Sequence, residues 1–205
     1  HALPPFMTPL TTKFTVVTPP TEEPVSLAEA KAHLRVDGSD EDSLISSLIT
    51  AARSMCEDLA GRAFVTQTLC AYPDGFPDCG GTIKLPRPRL QSITSVQYYD
   101  VDGATQTLPT SVYEADAIAE PGEVVLLPGQ VWPDVQAERR NPVRVTFVAG
   151  YGNAAAVDAR AKQAMLLLIA HWYENREASS QGVVNTEIQL GLDALLGQLW
   201  HGHLV

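Results

Sequence analysis

Between residues 64 and 149 the chain stops reading at the period of a helix. β-branched residues, prolines and turn pairs dominate there, and they predict strands at 64–72, 81–85, 93–100, 104–108, 112–115, 123–127 and 143–149. On both sides the apolar residues return to a spacing of three and four, which predicts helices over 24–38, 39–62 and 157–178. A fold must therefore close one helical core across a long β-rich interruption. The implied class is α+β: a small helical bundle of two N-terminal helices, one long buried helix and a short C-terminal helix, with a β-rich insertion. The expected parts are an extended arm at 1–24, a helical core at 25–63 and 153–178, an insertion at 64–152, and a C-terminal loop and helix at 179–205.

Local signals refine this reading. Ser26 with Glu29 three residues on predicts a capping box, and Gly38 a helix stop. Ser39 or Asp40 is expected to cap the second helix, with Asp40, Glu41 and Asp42 in its first turn, where the helix dipole favours negative charge. Leu44, Leu48, Ala52, Met55 and Leu59 line up as the core stripe of that helix, widened by Ile45, Ile49 and Cys56. Asp102-Gly103 predicts a type I′ hairpin turn. The third helix is apolar nearly all round from Ala164 to Ala170 and should be the most buried. Six of the fifteen prolines fall in the first 24 residues, which show only some strand character at 12–17.

Charge narrows the partners. A net charge of −10 and a pI near 4.8 give no electrostatic reason to grip nucleic acid or an anionic membrane. No apolar run reaches the roughly 18 residues of a membrane span, and the start lacks the basic and apolar regions of a secretory signal. Cys56, Cys70 and Cys79 lack metal spacing and read as reduced thiols.

Three places could carry chemistry. His171 and Glu174 sit at i and i+3, a spacing that can hold two metal ligands, but nothing nearby supplies a third. They read more simply as the polar end of a core helix in "LLLIAHWYENRE". "GYGNAA" at 150–155 matches a dinucleotide fingerprint, but too little chain follows for the second strand, and the acidic residue about 20 further on lies inside a helix. Glu174 with Glu177 could also form an acid/base pair, but solvated surface charges explain them more simply. No nucleophile arrangement appears, so no catalytic, cofactor or metal residues are assigned. Trp132 in a polar loop and Trp200 near the end are either interface anchors or packing residues of their own domain.

In order along the chain, "EPVSLAEAKAHLRVDGSDEDSLISSLITAARSMCEDLAGRAF", "IKLPRPRLQSITSVQYYDVDG", "VRVTFVAGYG" and "LLLIAHWYENREA" resemble the head–tail connector (adaptor) proteins of long-tailed bacteriophages and phage-like gene transfer agents. The resemblance spans roughly residues 23–200. It implies a structural protein rather than an enzyme, with no cofactor. It implies a ring, commonly of twelve copies, at the neck of the particle, joining the portal to a stopper or tail-completion protein. DNA would pass through without specific binding, and no membrane is involved. The expected interface residues are Trp132, Arg139 and Arg140 in the 128–142 loop, and Glu174, Arg176 and Glu177 at the end of the third helix. Leu192, Leu195, Leu196, Leu199 and Trp200 are expected to form a docking face, whose removal with residues 189–205 should leave the core folded. Two other readings remain: a small metal-dependent hydrolase using His171 and Glu174, and a monomeric β-rich binding module.

Overall fold

The computed structural model describes residues 12–78, 80–175, 186–197 and 199. It is mixed α+β and divides into two compact units. One is built on residues 66–150 with the strand that precedes them, the other on 22–65 and 151–201.

The β unit holds two antiparallel sheets. The larger has the order β1 (Lys13–Thr18), β2 (Gln67–Tyr72), β8 (Val143–Ala149), β4 (Leu90–Tyr99), β5 (Thr105–Thr107). The smaller runs β3 (Ile83–Lys84), β7 (Glu123–Leu126), β6 (Tyr113–Asp116). In β8 the period of two is complete: Val143, Val145, Phe147 and Ala149 are buried and the residues between them are not. That strand sits in the middle of its sheet, so β2 and β4 pair with it on either side. The strand character at 12–17 is realised as β1, an edge strand in register with β2 from Lys13 opposite Tyr72. The 100–104 hairpin differs from expectation. Only Gly103 has positive φ (83°), whereas a type I′ turn needs two such residues. Asp100 instead accepts from the Gly103 amide (2.9 Å) and donates to Ala104 (2.9 Å), the pattern of a type I turn closed by a glycine bulge. The Asp100 carboxylate takes the Ala104 and Asp102 amides and the Gln106 side chain, which holds its pKa below the usual range, the Gln106 bond contributing most.

The helical unit contains α1 (Leu27–Leu34), α2 (Asp42–Ala60), α3 (Ala159–Glu174) and α4 (Thr186–Leu196). The Ser26–Glu29 capping box forms in full: the Ser26 hydroxyl accepts from Glu29 N (3.2 Å), and the Glu29 carboxylate takes the Ser26 amide (2.7 Å). Two caps move. α1 ends at Arg35, which is left-handed (φ 59°), three residues before Gly38. α2 is capped by Glu41, whose side chain makes no cap bond, and neither Ser39 nor Asp40 serves; Asp42 is the acid of its first turn. Turn closure from the Asp42 amide to the Ser39 carbonyl supplies the start that a side chain was expected to give.

The core of this unit gathers Ile45, Ile49, Ala52, Cys56 and Ala60 from α2, and Ala161, Ala164, Met165, Leu168 and Ile169 from α3. α3 has no exposed residue from Ala164 to Ala170, as its composition implied. α2 is rotated from the expected face. Leu44, Met55 and Leu59 point outward, exposed at 37%, 38% and 42%. The helical period holds and Ala52 stays in the core, but the buried line shifts towards Ile45, Ile49 and Cys56, which outcompete Leu44, Met55 and Leu59 for α3. Burial pushes the Cys56 thiol up to about 12. Cys70 is also buried, and Cys79 lies outside the described residues.

Candidate interaction surfaces

The expected interface residues behave differently from one another. Trp132 packs onto its own unit. Its ring stacks on Phe76 (centroids 4.9 Å, 10° between planes), Phe76 meets Tyr98 edge-on, and its indole N–H donates to the Gly81 carbonyl (3.2 Å). It therefore anchors the 128–142 loop from within. Arg139 and Arg140 are exposed. The Arg139 guanidinium lies 3.4 Å above the Tyr99 ring and donates to Gln136 (2.8 Å), so the loop offers one pre-set cation beside Arg140.

At the end of α3, Glu174 is exposed and His171 half-buried. Asn175 donates its amide to the His171 carbonyl (2.9 Å) and lies 3.2 Å from the imidazole Nδ1. The histidine thus belongs to a helix-end cap. No group of three or more metal-ligating side chains occurs among the described residues. Tyr173 donates its hydroxyl to Glu41, tying the end of α3 to the start of α2. Arg176, Glu177 and Trp200 lie outside the described residues.

Leu192, Leu196 and Leu199 are 4%, 3% and 5% exposed and belong to the helical core, with Leu195 packed beside them. The apolar face of α4 therefore covers α3 and α2, and Leu190, 64% exposed, is turned outward. Arg62 holds the end of this segment in place. The residue is 2% exposed, and its guanidinium donates to the Leu199 carbonyl and to the Tyr151 hydroxyl (2.9 Å). Glu57, also buried, accepts from Arg53 (2.9 Å) and from the Phe64 amide (2.7 Å). Neither residue was singled out from sequence, since each looks like a surface charge near a helix end. The expectation that residues 189–205 can be removed without harm to the core does not survive: these leucines are part of it.

"GYGNAA" is a connection between a strand and a 3-10 turn. Gly150 and Gly152 adopt φ of 125° and 126°, Asn153 caps Ala154–Ala156, and α3 begins only at Ala159. Among the described residues every strand pairing is antiparallel, so the parallel unit that a dinucleotide site needs is not what this segment serves. No helix among the described residues is long and apolar enough to cross a membrane. Charge is uneven: the helical unit carries 14 Asp and Glu against seven Lys and Arg.

The profile of the head completion protein family matches residues 24–188. The chain belongs to that family. Its role is structural, at the connection of head and tail. Solved structures share the fold of this head completion protein. A chain in the neck of the empty gene transfer agent (GTA) particle, computed with C6 symmetry, is similar with a TM-score of 0.75 and 21% identity over 94% of this chain and 97% of that one. One in the virion of the native particle gives 0.74 and 21% over 94% and 96%. One in the native neck computed with C12 symmetry gives 0.71 and 19% over 96% and 98%. At such identity the likeness speaks for the fold. Among curated proteins none matches.

Proposed function

We propose that this head completion protein is a ring-forming adaptor at the neck of a phage or phage-like particle, joining the portal to a stopper or tail-completion protein, with no catalytic activity. The observation that carries the reading is the family match over 24–188 together with a fold shared, nearly end to end, with chains from particle necks. A ring of twelve is the working stoichiometry, given a neck computed with C12 symmetry. The net charge of −10 suits a ring through which DNA slides without being held. Once Trp132 and the α4 leucines are spent on packing, the exposed Arg139–Arg140 pair, Glu174 and the outward side of α4 at Leu190 remain among the surfaces open to neighbouring proteins. Assembly in the cytoplasm of the producing cell follows from this role.

The test is to tag the protein in producing cells, cross-link, and identify its neighbours. Portal and tail-completion proteins are the expected result. A monomer without any particle partner overturns the reading. Conversion of channel-facing acids to lysine should slow genome passage, and unchanged ejection kinetics would count against a channel lining.

A further inference from the structure

On the outward face of α2, Leu44, Met55 and Leu59 are exposed and stand outside the hydrophobic core of the described residues. Ten of the helix's nineteen residues are exposed, and only Asp58 among those ten is charged. The rest are serine, threonine, alanine and three large apolar residues. Leu44, Ala51, Met55 and Leu59 fall at helical spacings of seven, four and four, one continuous stripe about 22 Å long. A helix face open to water ordinarily carries charge opposite its apolar stripe. Here the exposed side carries a single charge, Asp58, while Asp42, Arg53 and Glu57 lie on the less exposed sides of the helix.

Three of the hydroxyls on and beside this face are already engaged within the protein. Ser46 and Ser47 donate their hydroxyls to the Asp42 and Ser43 carbonyls of their own helix (2.7 and 2.9 Å), and Thr50 donates to Glu23 (2.9 Å). Covering the face therefore strands few donors, so the usual cost of burying polar groups is small. Charge also decides what can cover it. Nucleic acid and basic partners bind through paired charges, and one carboxylate offers almost none. An occupant must bring an uncharged, apolar surface of its own.

We propose that the α2 face is a subunit contact, and that its occupant is a second copy of this chain. This rests on the ring reading above. A strip about 22 Å long and roughly 10 Å wide is well below the ~800 Å² per partner of a stable pairwise complex. It suits a contact that becomes stable only when many copies are held side by side around an axis. In a cyclic ring each copy meets its neighbour through two different faces. The α2 stripe is one of the two, and it faces a different surface of the next copy.

The test uses full-length protein in particle-producing cells. Met55→Glu and Leu59→Glu each place a carboxylate in the contact. Expected are a folded protein with a melting temperature close to wild type and a fall of about tenfold or more in copies per particle, since an unpaired buried charge costs more than one decade in association. A photo-cross-linking residue at Ala51 should give an adduct between two copies of this chain. That second measurement adds no charge, so it decides the matter even if a glutamate variant loses stability. Normal incorporation of both glutamate variants, or an Ala51 adduct to another protein, overturns the contact and leaves the adaptor reading standing. Wild-type protein missing from the particles overturns the adaptor reading and this contact with it.

Discussion

α2 and α3 are neighbours in one core, of similar length and similar apolar content, and they use their hydrophobic residues in opposite ways. α3 keeps its central run inside: between Ala164 and Ala170 nothing is exposed. α2 buries one line, Ile45 to Ala60, and leaves a second apolar line in water. A monomer gains nothing from that second line, so the difference between the helices separates what the fold needs from what an assembly needs.

The largest break in the comparison comes from removing the layer over both helices. Deleting residues 186–205 takes three buried leucines from the core and should cost about 5 kcal/mol or more, at about 1.5–3 kcal/mol each. Loss of cooperative urea unfolding is the expected outcome. Next is a matched pair of truncations. Leu168→Ala on α3 should cost about 2–5 kcal/mol and Leu44→Ala on α2 less than about 1 kcal/mol, both read by urea midpoint. Equal losses would dissolve the distinction. Arg62→Ala should cost about 2–3 kcal/mol, because the Leu199 carbonyl and the Tyr151 hydroxyl each lose a charged donor. Ser26→Ala, which opens the capping box, should cost about 1 kcal/mol.

The smallest effects are in pH. Hydrogen bonds from the Ser26 amide and hydroxyl hold Glu29 below its usual pKa, and the Arg160 side chain does the same for Asp158. A depressed carboxylate contributes stability above its unfolded pKa, and that contribution is lost as pH falls through the lower folded value. Thermal melts should therefore weaken below about pH 4, and Glu29→Gln should flatten part of that slope. Cys56 runs the other way. With its pKa raised to about 12, the neutral thiol is favoured by the fold, and that contribution fades as pH rises from the unfolded value near 9 towards 12. Alkylation of Cys56 should be slow in the native protein and fast in denaturant.

Much of this architecture was legible in the residues. The period change at 64, the alternation in "VRVTFVA", the Ser26–Glu29 box and the apolar run of α3 are local patterns, and each became the element expected. The family resemblance also lay in the ordered phrases. The errors fall where two local solutions are close in energy. A left-handed Arg35 ends α1 before Gly38 is reached, and a bulged turn replaces the two-residue hairpin. The surfaces were the least legible part. Trp132 and the α4 leucines carry the composition of an interface and turn out to be packing, while Met55 and Leu59 carry the composition of a core and turn out to be surface.

The sequence by itself determined which segments are helix and strand, their order, the acidic balance and the family, because those properties reside in neighbouring residues. Only the tertiary structure decided which of two adjacent apolar lines on α2 goes inward and that the face of α4 is already occupied. It also decided that Arg62 and Glu57 are buried. Side-chain facing is settled by competition between distant segments for the same volume, and the apolar run of α3 from Ala164 to Ala170 is covered by the lines of α2 and α4 that fit it.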